Sequence, residues 1–551
     1  MYKVLECFGV CMRKLLKLLM SRFSVVSVLI LIQLFVMLLS VFYLSRNYAF
    51  ISAIFWLLGF VMILGIINKH ANPAVKLPWA LLIALLPVFG CMLYFVFGSA
   101  KLRRKEQAVL LKHAERTSRI YETEDSAIDK LEKSDIHAAS QSFYITNATA
   151  IPLYEEEISK YFSSGEAFFE ALVEEIKKAE KYIFLEYFII QPGIMWNTIL
   201  EILHQKIDDG VDVRVIYDDV GSVAALPYGY AEKLSKSGIP CVSFNPYRPA
   251  LRTILHNRDH RKICVIDGRT AFTGGINLAD EYINCVNRFG HWKDSAVMLK
   301  GRAAFCFTLA FLELWNLYRN SDDDYNAFRP ETDGGSGANS AASMEAVRSL
   351  AASSSLKSAS AARSANSFDG GFVQPYVDSP LDDELTGEQV FLNIINQSAE
   401  YLYITTPYLI IDNELLTALC LAAKRNVDVR IITPFIPDKW LVHEMTRSYY
   451  HELVAGGVRV YEYTPGFMHA KNMVSDNTTA TVGTFNMDYR SLYHHFECGV
   501  WFYKASIIKD IKADFLNTLD VCREITPEYL SQTNVVKRLV RTLFKIFAPL
   551  L

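Results

Sequence analysis

Two short segments of this 551-residue chain carry the same chemically capable residues at the same spacing. The first reads His260-Arg-Lys262, then Asp267, then Gly274-Gly-Ile-Asn277; the second reads His469-Ala-Lys471, then Asp476, then Gly483-Thr-Phe-Asn486. All five shared positions are offset by 209 residues. One H-x-K triplet fits any exposed strand and is weak evidence, whereas five identities at one offset point to a common site. Alternate side chains of a strand share a face, so each His is presented beside its Lys. One imidazole can attack phosphorus and a second can protonate the leaving alkoxide, while ammonium and carboxamide groups stabilise the phosphoryl oxygens. The pattern suits phosphoryl transfer and requires no metal and no cofactor. The bland alternative is a pair of buried histidines left by duplication, and the intact Lys and Asn partners in both copies weigh against it.

The elements around each motif also repeat. Phe168 to Glu180 has helical periodicity and runs into the apolar segment Tyr182–Ile190; a second helical pattern follows, then Val211-Asp-Val-Arg-Val-Ile216. Gln389 to Glu400 leads likewise into Tyr401–Ile404, and after another helix Val427-Asp-Val-Arg-Ile-Ile432 repeats the tetrapeptide. Helices alternating with short β-branched strands predict an α/β fold with a sheet in each half. If the halves pack about a pseudo-twofold axis, the two motifs converge on one pocket. Between them, residues 331–370 form a flexible Ser-, Ala- and Gly-rich insertion with too little apolar content to fold alone.

The first 105 residues hold twelve Lys and Arg against Glu6 alone, a surplus of eleven positive charges; the overall charge of −3 therefore leaves −14 for the rest. A basic leader attracts anionic lipid, and an acidic body repels the phosphates of a long nucleic acid. Three apolar stretches, Phe23–Leu44, Phe50–Ile67 and Leu77–Gly98, predict two or three membrane crossings. Residues 1–20 have the spacing of an interfacial helix. Basic clusters flank the apolar region on both sides, which conflicts with three full crossings under the positive-inside tendency. Ten cysteines without a C-x-x-C read as reduced thiols, and with the stronger basic cluster they favour a cytosolic body. His443-Glu444 is not a zinc motif, because Arg447 stands at the second His position, and Asp218-Asp219 and Asp322 to Asp324 lack calcium-loop spacing. Glu186, Tyr187 and Tyr408 follow apolar strands and either line the pocket or pack.

The paired H-x-K-x4-D-x6-G-x-x-N motifs resemble those of the phospholipase D superfamily over roughly residues 160 to 551. Asn72-Pro73, Trp79, Pro87, Gly90, Tyr94 and Phe97-Gly98 resemble the membrane leader of bacterial cardiolipin synthases, as do Tyr217–Ser222, Thr406-Pro-Tyr408, Asp488-Tyr-Arg-Ser491 and the terminal Leu543–Leu551. The resemblance implies two tandem phospholipase D-type domains, each a β-sheet flanked by helices, behind an N-terminal helical transmembrane region. Its expected divisions are a membrane anchor at 1–105, a connector at 106–160, a first domain at 161–330 and a second at 371–551.

It further implies a phosphatidyl-histidine intermediate, with the nucleophile at His260 and the acid-base role at His469; the reverse order is chemically equivalent. Lys262, Lys471, Asp267 and Asp476 complete the catalytic set. Asn277, Asn486 and Thr484 are expected to bind phosphate or support the site, although Gly275 replaces the usual Ser or Thr in the first copy. Asp294 and Glu497 stand where the family has acids that orient the histidines, though surface charge is the commoner fate of one acid. The implied partners are phosphatidylglycerol, cardiolipin and membrane lipids of the bacterial cell membrane, with no nucleic acid. Water or another alcohol as acceptor, a nuclease, and a catalytically dead lipid-binding protein are the competing readings.

Overall fold

The structure, a computed structural model, describes residues 31–550 apart from a few single residues and the stretches 44–48, 70–71, 99–103, 122–124, 247–256 and 331–369. The expected interfacial helix at 1–20, much of the first apolar stretch and nearly all of the Ser- and Ala-rich insertion lie outside the described residues.

Behind helical residues within 31–43 come three apolar helices: α1 (Ala49–Ile67), α2 (Pro73–Leu85) and α3 (Pro87–Phe97). Asn72 starts α2 by accepting from the Ala74 amide, and Pro73 fills the first helical position, where no amide partner is needed. The third apolar stretch was expected to cross a membrane as one helix. Instead it breaks at Leu86-Pro87, because a proline ring denies the preceding turn a continuous ladder, and it yields helices of 13 and 11 residues. Among the described residues, no helix is long and apolar enough to cross a membrane. The helices pack closely instead: a Cβ at Gly90 would stand 2.7 Å from the Ile83 Cα.

The expected connector is more than a spacer. It forms α4 (Arg104–Ser118), α5 (Asp125–Ser134) and α6 (Ile136–Thr149), and Asp135 caps α6 through bonds from the His137 and Ala138 amides. Ala138, Ala139 and Ile145 of α6 are buried in the core of the second domain.

The first domain contains β1 (Ile158–Phe162), α7 (Gly165–Lys177), β2 (Tyr182–Tyr187), α8 (Ile194–Asp208), β3 (Asp212–Asp218), β4 (Cys241–Phe244), β5 (Lys262–Ile266), β6 (Thr270–Gly274), β7 (Ala296–Lys300) and α9 (Phe305–Arg319). The second contains β8 (Phe372–Asp378), α10 (Thr386–Gln397), β9 (Tyr401–Thr405), α11 (Asn413–Lys424), β10 (Asp428–Pro434), α12 (Trp440–Ala455), β11 (Arg459–Tyr463), β12 (Asn472–Ser475), β13 (Thr479–Gly483), β14 (His495–Tyr503), α13 (Ile508–Leu519) and, at the end, α14 (Val535–Phe547). Strand order in the first sheet is β1-β7-β6-β5-β2-β3-β4, and in the second β8-β14-β13-β12-β9-β10-β11, with short strands added at both edges. The duplication is thus strand for strand. In each sheet the parallel strands run through helical crossovers and the motif hairpin pairs antiparallel beside them.

The inner faces of the two sheets share one core. Phe184, Ile263, Val265 and Val297 of the first sheet meet α9 and Tyr403, Val474, Val482, Val500 and Phe502 of the second. Stacked rings, Phe184 on Phe311 at 4.7 Å and Tyr403 on Phe515 at 4.6 Å, add directional packing to this apolar burial. That shared core is what holds the two motif hairpins in one position relative to each other.

Candidate active site

Each motif histidine stands just before a hairpin strand, β5 in the first half and β12 in the second, and its backbone is tied to the opposite domain. Arg258-Asp259 runs parallel to His495-Phe496, and the His260 amide donates to the Phe496 carbonyl at 2.9 Å. In the other half Gly466–Met468 runs parallel to His291–Lys293, and the His469 amide donates to the Lys293 carbonyl at 2.7 Å. The residue after each of those carbonyls is an acid. Glu497 therefore reaches His260, with Nδ1 2.9 Å from Oε1, and Asp294 reaches His469, with Nδ1 2.7 Å from Oδ2. Asp294 and Glu497 were expected to orient the histidines of their own halves; each serves the other half, because backbone pairing across the domains exchanges them.

A carboxylate only accepts, so each imidazole carries its proton on Nδ1 and keeps the lone pair on Nε2. Both histidines are 7 % exposed. Burial, then the Lys262 and Lys471 ammonium groups, hold His260 well below the ordinary imidazole range. Burial and Lys471 lower His469 to about 4, against the opposing pull of Asp294. For Asp294 burial pushes upward, but the His469 ring, Lys471 and the Ser295 amide outweigh it and hold the carboxyl below the usual range.

The lysines are buried as well. Lys262 Nζ donates to the His260 carbonyl at 2.6 Å, and Lys471 Nζ to the His469 carbonyl. Desolvation pulls Lys262 down to about 8 and Lys471 to about 7, with Glu497 and Asp294 respectively the foremost opposing charges. Lys471 Nζ also lies 3.1 Å from His469 Nδ1, and two ammonium groups held together in low dielectric form a strong anion site.

The two carboxylates are supported differently. Glu497 accepts from the hydroxyls of Thr484 and Ser491. Asp294 accepts from the Ser295 amide at 2.8 Å and stands 3.4 Å from the Trp292 indole nitrogen. Gly275 occupies the place of Thr484 in the first half, and a Cβ there would come within 2.0 Å of Asp294 Oδ1. Thr484 was expected to bind phosphate or support the site; its hydroxyl is committed to Glu497, and the first half has glycine where its acid fills that space. The Gly275 amide is likewise engaged, donating to the Ser295 carbonyl at 2.9 Å.

Asp267 and Asp476, expected among the catalytic groups, are not brought to the pocket. Both sit at hairpin turns with positive φ, +52° and +53°. Asp267 accepts from the amides of Glu180, Lys181 and Tyr182, all at 2.8 Å, and Asp476 from those of Ala399, Glu400 and Tyr401. They pin each hairpin to the start of the neighbouring strand. Asn277 is also largely committed, accepting from the Ile189 amide and donating to the Tyr282 hydroxyl, whereas the buried Asn486 Oδ1 has no protein partner. Glu186 does not line the pocket, since it forms a buried ion pair with Arg261 at 2.5 Å, and Tyr187 belongs to the first-domain core.

Sequence reasoning missed the walls. Phe188 packs edge-on to His260 at 5.0 Å, while Trp292, Tyr282 and Phe467 surround His469 at 5.2, 5.5 and 5.7 Å. It also missed His495, whose ring lies 5.4 Å from that of His260 and whose Nδ1 is 3.6 Å from the shared Glu497. His260, His495 and Glu497 are the cluster, among the described residues, whose ligand atoms lie close enough to hold a metal ion, and no ion is needed to satisfy Glu497. The only advance signals for this environment were the doubled His494-His495 and aromatic residues flanking the motifs.

Residues 172–291 and 391–519 match the family described as cardiolipin synthase, PLD-like domain, and residues 51–99 match the phospholipase D-nuclease N-terminal family. A cardiolipin synthase of Alkalihalophilus pseudofirmus is 31% identical over 94% of this chain and 98% of its own length. Cardiolipin synthase 2 of Bacillus cereus is 30% identical over 90% of each chain, and an uncharacterised protein of Streptococcus mutans is 40% identical over 89% of this chain and 99% of its own. Among solved structures, a phosphatidylserine synthase from Haemophilus influenzae shares the fold, with a TM-score of 0.52 at 15% identity over 75% of this chain and 98% of that one. Duplicated sheets, facing motif histidines and full-length kinship agree: the chain belongs to the cardiolipin synthase family of phospholipase D-like proteins.

Proposed function

We propose that this chain transfers a phosphatidyl group from one phosphatidylglycerol to the glycerol hydroxyl of another, forming cardiolipin and releasing glycerol. The observation that carries the chemistry is the exchanged pair of imidazoles, each held through Nδ1 by a carboxylate of the other domain and close enough that His469 and Lys471 act electrostatically on His260. The family relationship carries the choice of lipid.

In the first step His260 Nε2 attacks phosphorus, the bond to glycerol breaks, and His469 gives that oxygen a proton. His469 is depressed to about 4 in the empty site; the phosphodiester anion offsets Lys262 and Lys471 and favours its protonated form. In the second step His469 takes the proton of the acceptor hydroxyl, the new P–O bond forms, and the P–N bond breaks. Lys262 and Lys471 stabilise the phosphoryl oxygens throughout, with Asn486 supplying a polar contact. One phosphodiester is exchanged for another, so the reaction is freely reversible and needs no external energy source. Aromatic walls at Phe188, Trp292 and Phe467 disfavour water as acceptor.

The N-terminal helices, exposing Leu57, Phe60, Leu77 and Leu85, attach the enzyme to the cell membrane with the catalytic body on the cytosolic side. Asn72 supports this arrangement by anchoring α2 to the second domain through bonds to Asp412 and the Tyr493 hydroxyl at 2.9 and 2.8 Å. The test is incubation of purified enzyme with head-group-labelled phosphatidylglycerol. Equal release of glycerol and formation of cardiolipin is the expected result; phosphatidic acid as the main product would shift the reading to hydrolysis, and neither product would overturn it.

A further inference from the structure

The C-terminal helix α14, Val-Val-Lys-Arg-Leu-Val-Arg-Thr-Leu-Phe-Lys-Ile-Phe, is strongly two-faced, but it is mounted the opposite way from a helix on a soluble surface. Part of its basic side, Arg541 and Lys545, is turned toward the protein. Arg541 Nε lies 2.8 Å from Glu444, and Lys545 Nζ lies 2.7 Å from Glu452, both acids on α12. Lys545 also stands 4.3 Å above the Tyr449 ring. The apolar side faces outward: Val535, Val536, Leu539 and Leu543 are all at least half exposed, the last at 50 %. At its edge the exposed Trp440 meets Phe544.

Such a face on one helix needs a cover, and three observations identify it. First, α14 and the turn that follows it pack against α2, so its apolar side continues the exposed Leu77, Leu81 and Leu85 of the N-terminal helices. Second, Lys537 and Arg538 are exposed and suited to anionic head groups. Third, thirteen residues rise only about 20 Å, too little to span a bilayer but enough to lie in its interface. We propose that α14 is a second membrane contact, lying in the plane of an anionic lipid surface beside the N-terminal helices. Two contacts rather than one fix the rotation of the second domain about its anchor, and so the direction in which the pocket opens toward the bilayer. This inference does not depend on which reaction the site performs.

The experiment uses the wild-type chain in membranes of phosphatidylcholine and phosphatidylglycerol doped with a lipid carrying a photoreactive group in its acyl chain. After irradiation, mass spectrometry should find lipid adducts on peptides from 535–547 as well as on α2, and none on the peptide holding the exposed Tyr228 of the first domain. Adducts on α2 with none on 535–547 would overturn the proposal. A benzophenone side chain at position 539 tests the competing occupant: adducts with lipid support the proposal, and adducts with a second copy of this chain overturn it. In the Leu539→Asp, Leu543→Asp double variant, adducts on α14 should be lost while those on α2 persist.

Discussion

His260 Nδ1 lies 2.9 Å from both carboxylate oxygens of Glu497, 237 residues further along the chain and on the other domain. The reciprocal pair, His469 with Asp294, spans 175 residues in the opposite sense. Among the described residues neither half pairs its motif histidine with an acid of its own, so the site exists only when the two sheets are docked.

The exchange makes a kinetic prediction. Glu497→Gln should behave like a defect in His260, and Asp294→Asn like a defect in His469, each lowering kcat on the order of 10²–10⁴-fold with a smaller change in KM. Labelled phosphatidylglycerol and denaturing gels separate the two classes. His260→Ala and Glu497→Gln should leave no label on the protein, whereas His469→Ala and Asp294→Asn, slowed in both steps, should still carry label on His260. Label retained in His260→Ala would reverse the order of the histidines.

The buried lysines predict an alkaline limit. Both are lowered, Lys471 to about 7 and Lys262 to about 8, so the ammonium forms are present below those values and are lost as pH rises through them. His469, lowered to about 4, stays neutral above that value in the empty site. The kcat/KM profile reports the free enzyme and should therefore fall between about pH 7 and 8. A bound phosphodiester stabilises both cations, which should move the corresponding limb of kcat to higher pH. A kcat/KM flat across this range would remove the lysines from phosphate binding.

Asp267 and Asp476 predict loss of stability without loss of chemistry. Each carboxylate accepts three backbone amides at a turn with positive φ. Replacement by Ala releases those amides and removes the short polar side chain that makes the left-handed conformation tolerable, costing roughly 1–3 kcal/mol. Asn, which tolerates that conformation, should cost less. Thermal unfolding should show the order wild type, Asn, Ala, with kcat close to normal for the folded fraction. A loss of kcat as large as that of His469→Ala would restore these residues to the catalytic set.

Much of this arrangement was legible in the sequence because duplication wrote it twice. The helix before Tyr182 and the Val-Asp-Val-Arg strands carried their own periodicity, and both recur as equivalent sheet elements in the fold. The exchange of acids was not legible, since Asp294 and Glu497 are assigned by cross-domain backbone pairing that leaves no local pattern. Nor was the role of Asp267 and Asp476: a motif marks which residues recur, and a hairpin pin recurs as faithfully as a nucleophile. The apolar region misled because its composition continues through Leu86-Pro87, where the backbone does not.

The unequal support of the two acids gives the most local test. Gly275→Ala places a methyl group where Asp294 Oδ1 now stands, 2.0 Å from it and 3.0 Å from the His469 carbonyl. The acid must move, and with it the Nδ1 proton that fixes the His469 ring, so kcat should fall by about 10²-fold or more. Thr484→Val in the other half removes one donor from Glu497 but leaves Ser491 in place and creates no clash, so its effect should be nearer tenfold. In Gly275→Ala both formation and turnover of the covalent intermediate should slow, because the displaced acid belongs to His469, which gives a proton in the first step and takes one in the second. Formation and turnover both at wild-type rates would show that Asp294 does not act through His469.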